Sequence, residues 1–377
     1  MKVGKYHSAL GWAVLFLSFI ARTGIADDPV SGATVTDKKP ELINPLFVKP
    51  LVKIESGRND SNPVWSPYGT FVAFERSVGD KKEIHITLRD GTLIQTVYFL
   101  LSEGGKKMNF FFPGVSDETS YNAGITWSSD EYRFVYMSNG GEGNYDIYVQ
   151  DLGGGASVRL TDHKEKDGQA HWSPIADRLV FVSGRTGSGD IHLLDLRTRV
   201  LKRLTQGGKT HLFPQWSPDG KRLVMMHGSN ENHDIILFGD VTKPMESLKM
   251  LTTWPYDDLR PIWSPDGEKI AFYSNYNLAG DPKIWSIVVI AADGSDPTDG
   301  EGLAAKVVAM DIIPDVEVGP AWMPDSSRIV FVKNHRQEYN PIYVADLKEK
   351  AVRPLKTDTK MNHDVTCSAD GMIAFRA

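Results

Sequence analysis

Six of the nine tryptophans in this 377-residue chain begin the same short phrase, which reads Trp-Ser-Pro-Asp-Gly in its fullest form. A seventh copy has a cysteine in place of the tryptophan. The seven anchors are Trp65, Trp127, Trp172, Trp216, Trp263, Trp322 and Cys367. Successive anchors are 62, 45, 44, 47, 59 and 45 residues apart. A period in the forties is the size of a four-stranded propeller blade, so the chain is predicted to be a tandem array of such blades.

Each repeat predicts four strands separated by tight turns. Pro, Asp and Gly after the anchor favour a turn, because Pro fixes φ, Asp bonds its own backbone and Gly accepts a positive φ. Behind Trp216, alternating apolar runs at residues 223–226 and 234–236 predict a second and a third strand, and a fourth ends at residues 250–252. The chain lacks the helical periodicity of a βαβ fold. We therefore predict an all-β propeller of seven four-stranded blades, with six blades as the alternative count.

The two ends of the chain predict how the ring closes. The last repeat supplies two strands before Ala377, while residues 52–55 precede the first anchor at the spacing of a fourth strand. Leu42 or Ile43 stands at the spacing of a third strand before that segment. We expect these N-terminal strands to complete the last blade, within a propeller that spans residues 41–377.

Residues 1–26 have the order of a secretory signal. Lys2 and Lys5 precede an apolar stretch at residues 9–21, and Gly24 and Ala26 form a small-residue cleavage site. The apolar stretch is too short to span a membrane. We expect the mature protein to begin at Asp27, with a leader at residues 27–40, and to be periplasmic or extracellular without membrane insertion after cleavage.

Charge and cysteine content restrict the partners. Removing the three basic residues of the signal leaves 39 basic and 48 acidic residues. An acidic chain of this kind argues against nucleic acid as a partner. One cysteine excludes an internal disulfide, so stability must come from packing of the ring. We expect a monomer.

A polar residue recurs at the start of each inner strand, five positions before the anchor. Propellers bind ligands where the loops that enter the innermost strands converge. Four carboxylates at that opening would attract a basic protein or peptide. The same side chains would also suit simple capping of the strand starts, as Asp and Asn commonly do. The predicted channel-mouth residues are Asp60, Asn122, Asp167, His211, Asp258, Glu317 and Asn362.

The sequence gives only weak signals for metal ligands and catalytic residues. His211 and His363, with Asp364, lie near the predicted entrance and are the metal candidates. No His-x-His or His-Glu-x-x-His spacing accompanies them. We therefore predict no cofactor, with a divalent metal as the alternative, and we assign no catalytic residue.

The succession of Trp-Ser-Pro-Asp-Gly, Ile-Ala-Phe, Asp-Ile-Tyr and Arg-Leu-Thr resembles the TolB-type propeller repeat over about residues 50–377. TolB is periplasmic and has an α/β domain ahead of a six-bladed propeller whose mouth binds a lipoprotein. The resemblance therefore implies a periplasmic propeller with a protein partner at its mouth. This sequence departs from TolB in having seven repeats and only about 25 residues between the predicted signal and the closing strand, which indicates a TolB-like relative.

Similar repeats occur in two families of enzymes. Prolyl-oligopeptidase-type peptidases add an α/β-hydrolase domain, and this chain has no Gly-x-Ser-x-Gly elbow. Oligogalacturonate lyases hold a divalent metal with several His and a Gln, a cluster with no clear counterpart here. We expect a non-catalytic propeller that binds a protein or peptide at its channel mouth. The alternative is a metal-dependent polysaccharide lyase or hydrolase.

Overall fold

The computed structural model describes residues 14–17, 48–52, 58–78, 81–97, 120–140, 144–206, 208–229, 232–276, 281, 283–295, 306–315, 319–334 and 339–377. All regular elements within these ranges are β-strands. None of the described segments forms a helix with the length and hydropathy that crossing a membrane requires. The prediction of an all-β propeller is confirmed.

The strands follow one another in short antiparallel units. The first half of the chain contains β1 (Val14–Leu17), β2 (Val48–Pro50), β3 (Arg58–Trp65), β4 (Phe71–Val78), β5 (Lys81–Leu88), β6 (Leu93–Val97), β7 (Ser120–Trp127), β8 (Arg133–Ser138), β9 (Asp146–Asp151), β10 (Val158–Arg159), β11 (Asp167–Trp172), β12 (Arg178–Ser183), β13 (Asp190–Asp195) and β14 (Leu201–Arg203). The second half contains β15 (Thr210–Trp216), β16 (Leu223–Ser229), β17 (Asn232–Phe238), β18 (Leu248–Met250), β19 (Asp258–Trp263), β20 (Lys269–Ser274), β21 (Trp285–Ala291), β22 (Val307–Ile312), β23 (Ala321–Trp322), β24 (Arg328–Val332), β25 (Ile342–Asp346), β26 (Ala351–Pro354), β27 (His363–Cys367) and β28 (Ile373–Arg376).

These strands form six hydrogen-bonded sheets. Five sheets have four strands, and the sixth has eight because β5 pairs in parallel with β7 through residues 81–82 and 120–121. The first two sequence repeats, β3–β6 and β7–β10, therefore share one sheet. Seven sequence repeats are thus distributed over six sheets.

The core lies between neighbouring repeats, where second strands and anchors pack. Val72, Ala73 and Phe74 of β4 are fully buried, and the corresponding residues of the other second strands are similarly enclosed. The six anchor tryptophans are 4–8% exposed. The indole N–H of Trp216 donates to the carbonyl of His171 in the preceding repeat, at 3.2 Å. Burial of these large rings supplies much of the hydrophobic free energy that holds the repeats together.

The Asp-Ile-Tyr and Arg-Leu-Thr motifs bind each other inside one repeat. Asp190 at the start of β13 is fully buried and accepts hydrogen bonds from Arg203, at 2.7 Å, and from the Thr205 hydroxyl, at 2.7 Å. The same Thr205 hydroxyl accepts from the backbone N–H of Ile191, at 2.9 Å. These motif residues are therefore structural, because their polar groups satisfy one another within the blade.

N-terminal strands close the ring, as predicted, but at different positions. The closing sheet has the order β2-β1-β28-β27. Its outer strand covers Val48–Pro50, and Leu51 then packs in the core beside Trp65, with its carbonyl too close to Gly91 for any side chain there. Residues 53–55 of the predicted strand lie outside the described residues. The third position, predicted at Leu42 or Ile43, is occupied by Val14–Leu17. Leu42 and Ile43 lie outside the described residues, and β1 falls within the predicted export signal.

Candidate functional site

The innermost wall of the propeller carries one left-handed residue in each repeat, three positions before the anchor. Its φ lies between 50° and 85° in the seven repeats. In six repeats the pairing register with the second strand shifts across this residue, which defines a β-bulge. The seven bulge residues are Asn62, Gly124, Gln169, Phe213, Arg260, Gly319 and Asp364.

These bulge residues all line the cavities of the central channel. Five of them are not glycine, although a positive φ costs an L-residue on the order of 1 kcal/mol or more. Backbone strain that recurs at the same level of the channel in successive repeats indicates a position where side chains are oriented for function. We therefore take this bulge ring as the centre of the candidate site.

Side chains of the ring also bind the backbone that the bulges expose. The Asp364 carboxylate accepts the N–H of Asn62, at 3.3 Å, and the Gln169 side-chain oxygen accepts the N–H of Phe213, at 2.8 Å. Each of these bonds joins a bulge to the bulge of the next repeat. Part of the ring is therefore structural, and its geometry is fixed before any ligand arrives.

The residues predicted at the channel mouth lie at the strand starts, as expected, but their described side chains point into the blades. Asp60 is 3% exposed and pairs with Arg76, at 2.6 Å, while the fully buried Asp167 pairs with Arg185, at 2.7 Å. Asp258 is also fully buried, and burial raises its pKa well above the usual range. These contacts suit the strand-capping interpretation.

Of the other predicted mouth residues, two have described side chains and two do not. The fully buried Asn362 donates to the carbonyl of Asn340, at 2.7 Å, and His211 contacts His227 with 3.1 Å between ring nitrogens. For Asn122 only the backbone is described, and it pairs with Ser138; Glu317 lies outside the described residues. Of the seven, the five with described side chains (Asp60, Asp167, His211, Asp258 and Asn362) do not line either channel cavity. Ligand binding by these residues stays a prediction.

The metal candidates are separated in the fold. His211 belongs to β15, whereas His363 and Asp364 belong to β27. Burial lowers the pKa of both histidines to about 4. Within the described ranges, no group of three or more His, Cys, Asp or Glu side chains is arranged to hold a metal ion.

A cavity of about 330 Å³, which we call the mouth cavity, lies at the start of the inner strands. Lys82, Asp315, His363, Asp364 and Arg376 are among its lining residues. Arg376 pairs with Asp364, with 2.9 Å between Nε and Oδ2. Burial and the negative charge of Asp315 nevertheless raise the pKa of Asp364 to about 7. The two carboxylates therefore disfavour each other's charge, and a further cation would relieve that repulsion.

A larger cavity of about 870 Å³, the tryptophan cavity, occupies the anchor end of the channel. The anchors of the first five repeats contribute to its wall, together with Pro67, Pro174, Pro218 and Pro265 from the turns. Its polar lining includes Gln169, His171 and Arg260. Asn62 and Lys82 line both cavities, so the two adjoin at the level of the bulge ring.

The repeat is similar in sequence to that of a known protein family. Residues 113–298 match a family model described as the TolB beta propeller domain. About half of the chain therefore consists of TolB-type β-propeller repeats. No curated protein sequence matches it.

Solved structures share the fold of this TolB-like propeller at low identity. TolB from Acinetobacter baumannii is 18% identical, with a TM-score of 0.53, over 82% of this chain and 66% of its own, so our chain spans less than two thirds of that protein. An oligogalacturonate lyase from Vibrio parahaemolyticus is 14% identical, with a TM-score of 0.54, over 84% of this chain and 90% of its own. A puromycin-hydrolyzing peptidase from Mycobacterium tuberculosis is 12% identical, with a TM-score of 0.58, over 82% of this chain and 48% of its own. At these identities the likeness concerns the fold alone.

Sequence reasoning missed the bulge ring of the TolB-like propeller, because its residue types share no chemistry. A signal was nevertheless present in the next position. Proline follows the bulge residue in four repeats, at Pro63, Pro214, Pro261 and Pro320. Proline within a strand is confined to bulges and edges, so its recurrence marks the interruption.

Proposed function

We propose that this protein is an exported, non-catalytic propeller that binds a protein or peptide partner at the mouth of its channel. The proposal assigns the contact to the mouth cavity, where a lysine or arginine side chain of the partner enters between Asp315 and Asp364. The observation that carries it is the open pocket with two carboxylates that raise each other's cost of ionisation.

Charge balance in the mouth cavity supports a basic ligand group. Lys82 in the cavity lining is paired with Glu75, at 2.6 Å, and Asn62 donates to the same carboxylate, at 3.0 Å. Arg376 pairs with Asp364. A cationic side chain from a partner would be attracted by both Asp315 and Asp364 and would bring the pKa of Asp364 back toward its usual range. A basic contact therefore fits this pocket better than an acidic one.

Export is supported by the signal-like order of residues 1–26 and by the TolB-like repeat, and the periplasm is the compartment we propose. Cleavage after Ala26 would remove β1 from the closing sheet. The pairing edge of β28 would then need another strand, and residues 41–47 supply the nearest chain ahead of β2. The mature ring would in that case close with a rearranged N-terminal segment.

Selection from a displayed library of random peptides tests partner binding. We expect enriched peptides to share a Lys or Arg at one position, and to bind Asp364→Asn at least about tenfold more weakly in calorimetry. The asparagine keeps an acceptor for the Asn62 N–H, so the fold should be retained. Asp358→Asn is the matched control, because it removes a carboxylate that is 78% exposed. Failure to enrich any peptide, or equal affinity of both variants, would refute the proposal.

A further inference from the structure

The turn after the anchor follows one chemical rule in most repeats. Its aspartate accepts a hydrogen bond from the hydroxyl of the serine that follows the anchor. The four such pairs are Ser128–Asp130, Ser217–Asp219, Ser264–Asp266 and Ser368–Asp370. The sixth repeat lacks the serine, because Met323 follows its anchor. The first and third repeats instead lack the aspartate, with Tyr68 and Ile175 at that position.

The first and third repeats thereby expose apolar side chains beside the tryptophan cavity. Tyr68 is 69% exposed and Ile175 is 63% exposed, and Tyr132 at the end of the second turn is 72% exposed. Tyr68 and Pro174 themselves line the cavity. The loss of a favourable turn bond in exchange for an exposed apolar residue is the kind of local conflict found at functional surfaces.

The cavity behind this rim has the size and character of a ligand site. Its volume of about 870 Å³ falls within the range of sites that enclose a small organic molecule. Indole rings, prolines and Phe213 supply an apolar wall. The two acidic residues in the lining are already engaged, since Glu75 pairs with Lys82 and Asp130 accepts from Ser128.

Two hydrogen-bond donors converge within that wall. Arg260 is 7% exposed, and its guanidinium carbon lies 3.9 Å from the centroid of the Phe213 ring. The Nδ1 atom of His171 accepts the N–H of Trp216, at 3.4 Å, so the neutral ring carries its proton on Nε2. Burial and the charge of Arg260 lower the pKa of His171 to about 4, which keeps it neutral at physiological pH.

We propose that the tryptophan cavity binds a small apolar carboxylic acid. Arg260 and the Nε2–H of His171 hold its carboxylate, while the indole and proline wall encloses its hydrocarbon body. The ligand enters past Tyr68 and Ile175, at the end of the channel opposite the mouth cavity. This site is independent of the proposed peptide contact.

Calorimetry with 4-phenylbutyrate and its uncharged amide tests the assignment. We expect the acid to bind the protein at least about tenfold more tightly than the amide, because a charged hydrogen-bonded pair contributes that much in a buried site. Arg260→Met should abolish this preference. Arg222→Met is the matched control, since Arg222 also lies over an aromatic ring, 4.6 Å from Trp263, but does not line the cavity.

A surface variant keeps the test valid if Arg260→Met does not fold. Tyr68→Ala changes only an exposed rim residue and should weaken binding of both acid and amide by about threefold or more, through lost apolar contact. Equal affinity of the acid and the amide for the unaltered protein, or absence of binding by both, would overturn the proposal. Retained acid preference in a folded Arg260→Met variant would overturn it as well.

Discussion

The buried carboxylate of Asp364 should make this protein less stable as pH rises. Its side chain is 11% exposed, and burial together with Asp315 raises its pKa from 3.8 to about 7. The folded state therefore holds a proton that the unfolded chain releases near pH 4. Between pH 4 and pH 7 folding binds this proton, so each increase in pH through that window lowers the free energy of unfolding.

The size of the stability change follows from the pKa shift of Asp364. One pKa unit corresponds to about 1.36 kcal/mol, so the full window is on the order of 4 kcal/mol and the part between pH 5 and pH 7 is about 3 kcal/mol. Burial is the largest cause of the raised pKa of Asp364, Asp315 and Glu75 raise it further, and Arg376 with the Asn62 N–H lowers it. Asp364→Asn cannot ionise and should lose this dependence.

Denaturation of the unaltered protein and of Asp364→Asn at pH 5 and pH 8 measures the effect. The unaltered protein should lose about 3 kcal/mol more stability than Asp364→Asn over that interval, because titrating groups remote from the mouth cavity act equally on both. Asp358→Asn, with its exposed carboxylate, should behave like the unaltered protein. Parallel pH profiles for the unaltered protein and Asp364→Asn would refute the assignment of a protonated carboxyl to the mouth cavity.

Three further predictions concern export, blade packing and metal content. Intact mass of the protein from the cell envelope should correspond to a chain that begins at Asp27, and retention of Met1 would contradict the signal. Asp190→Ala should cost about 2 kcal/mol or more in thermal unfolding, because the Thr205 hydroxyl and Arg203 lose their buried partner, whereas Asp195→Ala, at the more exposed end of β13, should cost clearly less. Metal analysis should find no stoichiometric divalent ion, and a stoichiometric transition metal would instead favour the lyase or hydrolase alternative.

Much of the fold could be predicted because each repeat carries the same strand-forming motifs in the same order. The second strands and most third strands lie where the apolar runs placed them, as at residues 223–226 in β16. The fourth strands end earlier than the motifs suggested, since β14 stops at Arg203 while Thr205 turns inward to bind Asp190. The inward turn of Thr205 is a tertiary effect, because it serves a hydrogen bond to a buried carboxylate. The spacing of apolar residues in the sequence does not indicate such a turn.

The site could be predicted in position but not in its residues. Counting five residues before the anchor located the strand starts, where Asp60 and Asp167 are buried against arginines of the same hairpin. The channel wall is instead presented at three residues before the anchor. That offset depends on a positive φ in residues such as Gln169 and Arg260, which have no intrinsic preference for it. The conformation arises from the bulge, and only the adjacent prolines hinted at it.

The bulge ring gives this architecture an unusual freedom to change its ligand. Each repeat places one residue on the channel wall, and in five of the seven that residue carries a side chain, while the anchor three positions later keeps its place in the core. Amide, aromatic, guanidinium and carboxylate groups already occupy equivalent positions on an otherwise uniform backbone. Chemically diverse channels could therefore evolve, or be engineered, by single substitutions at these positions without repacking a blade.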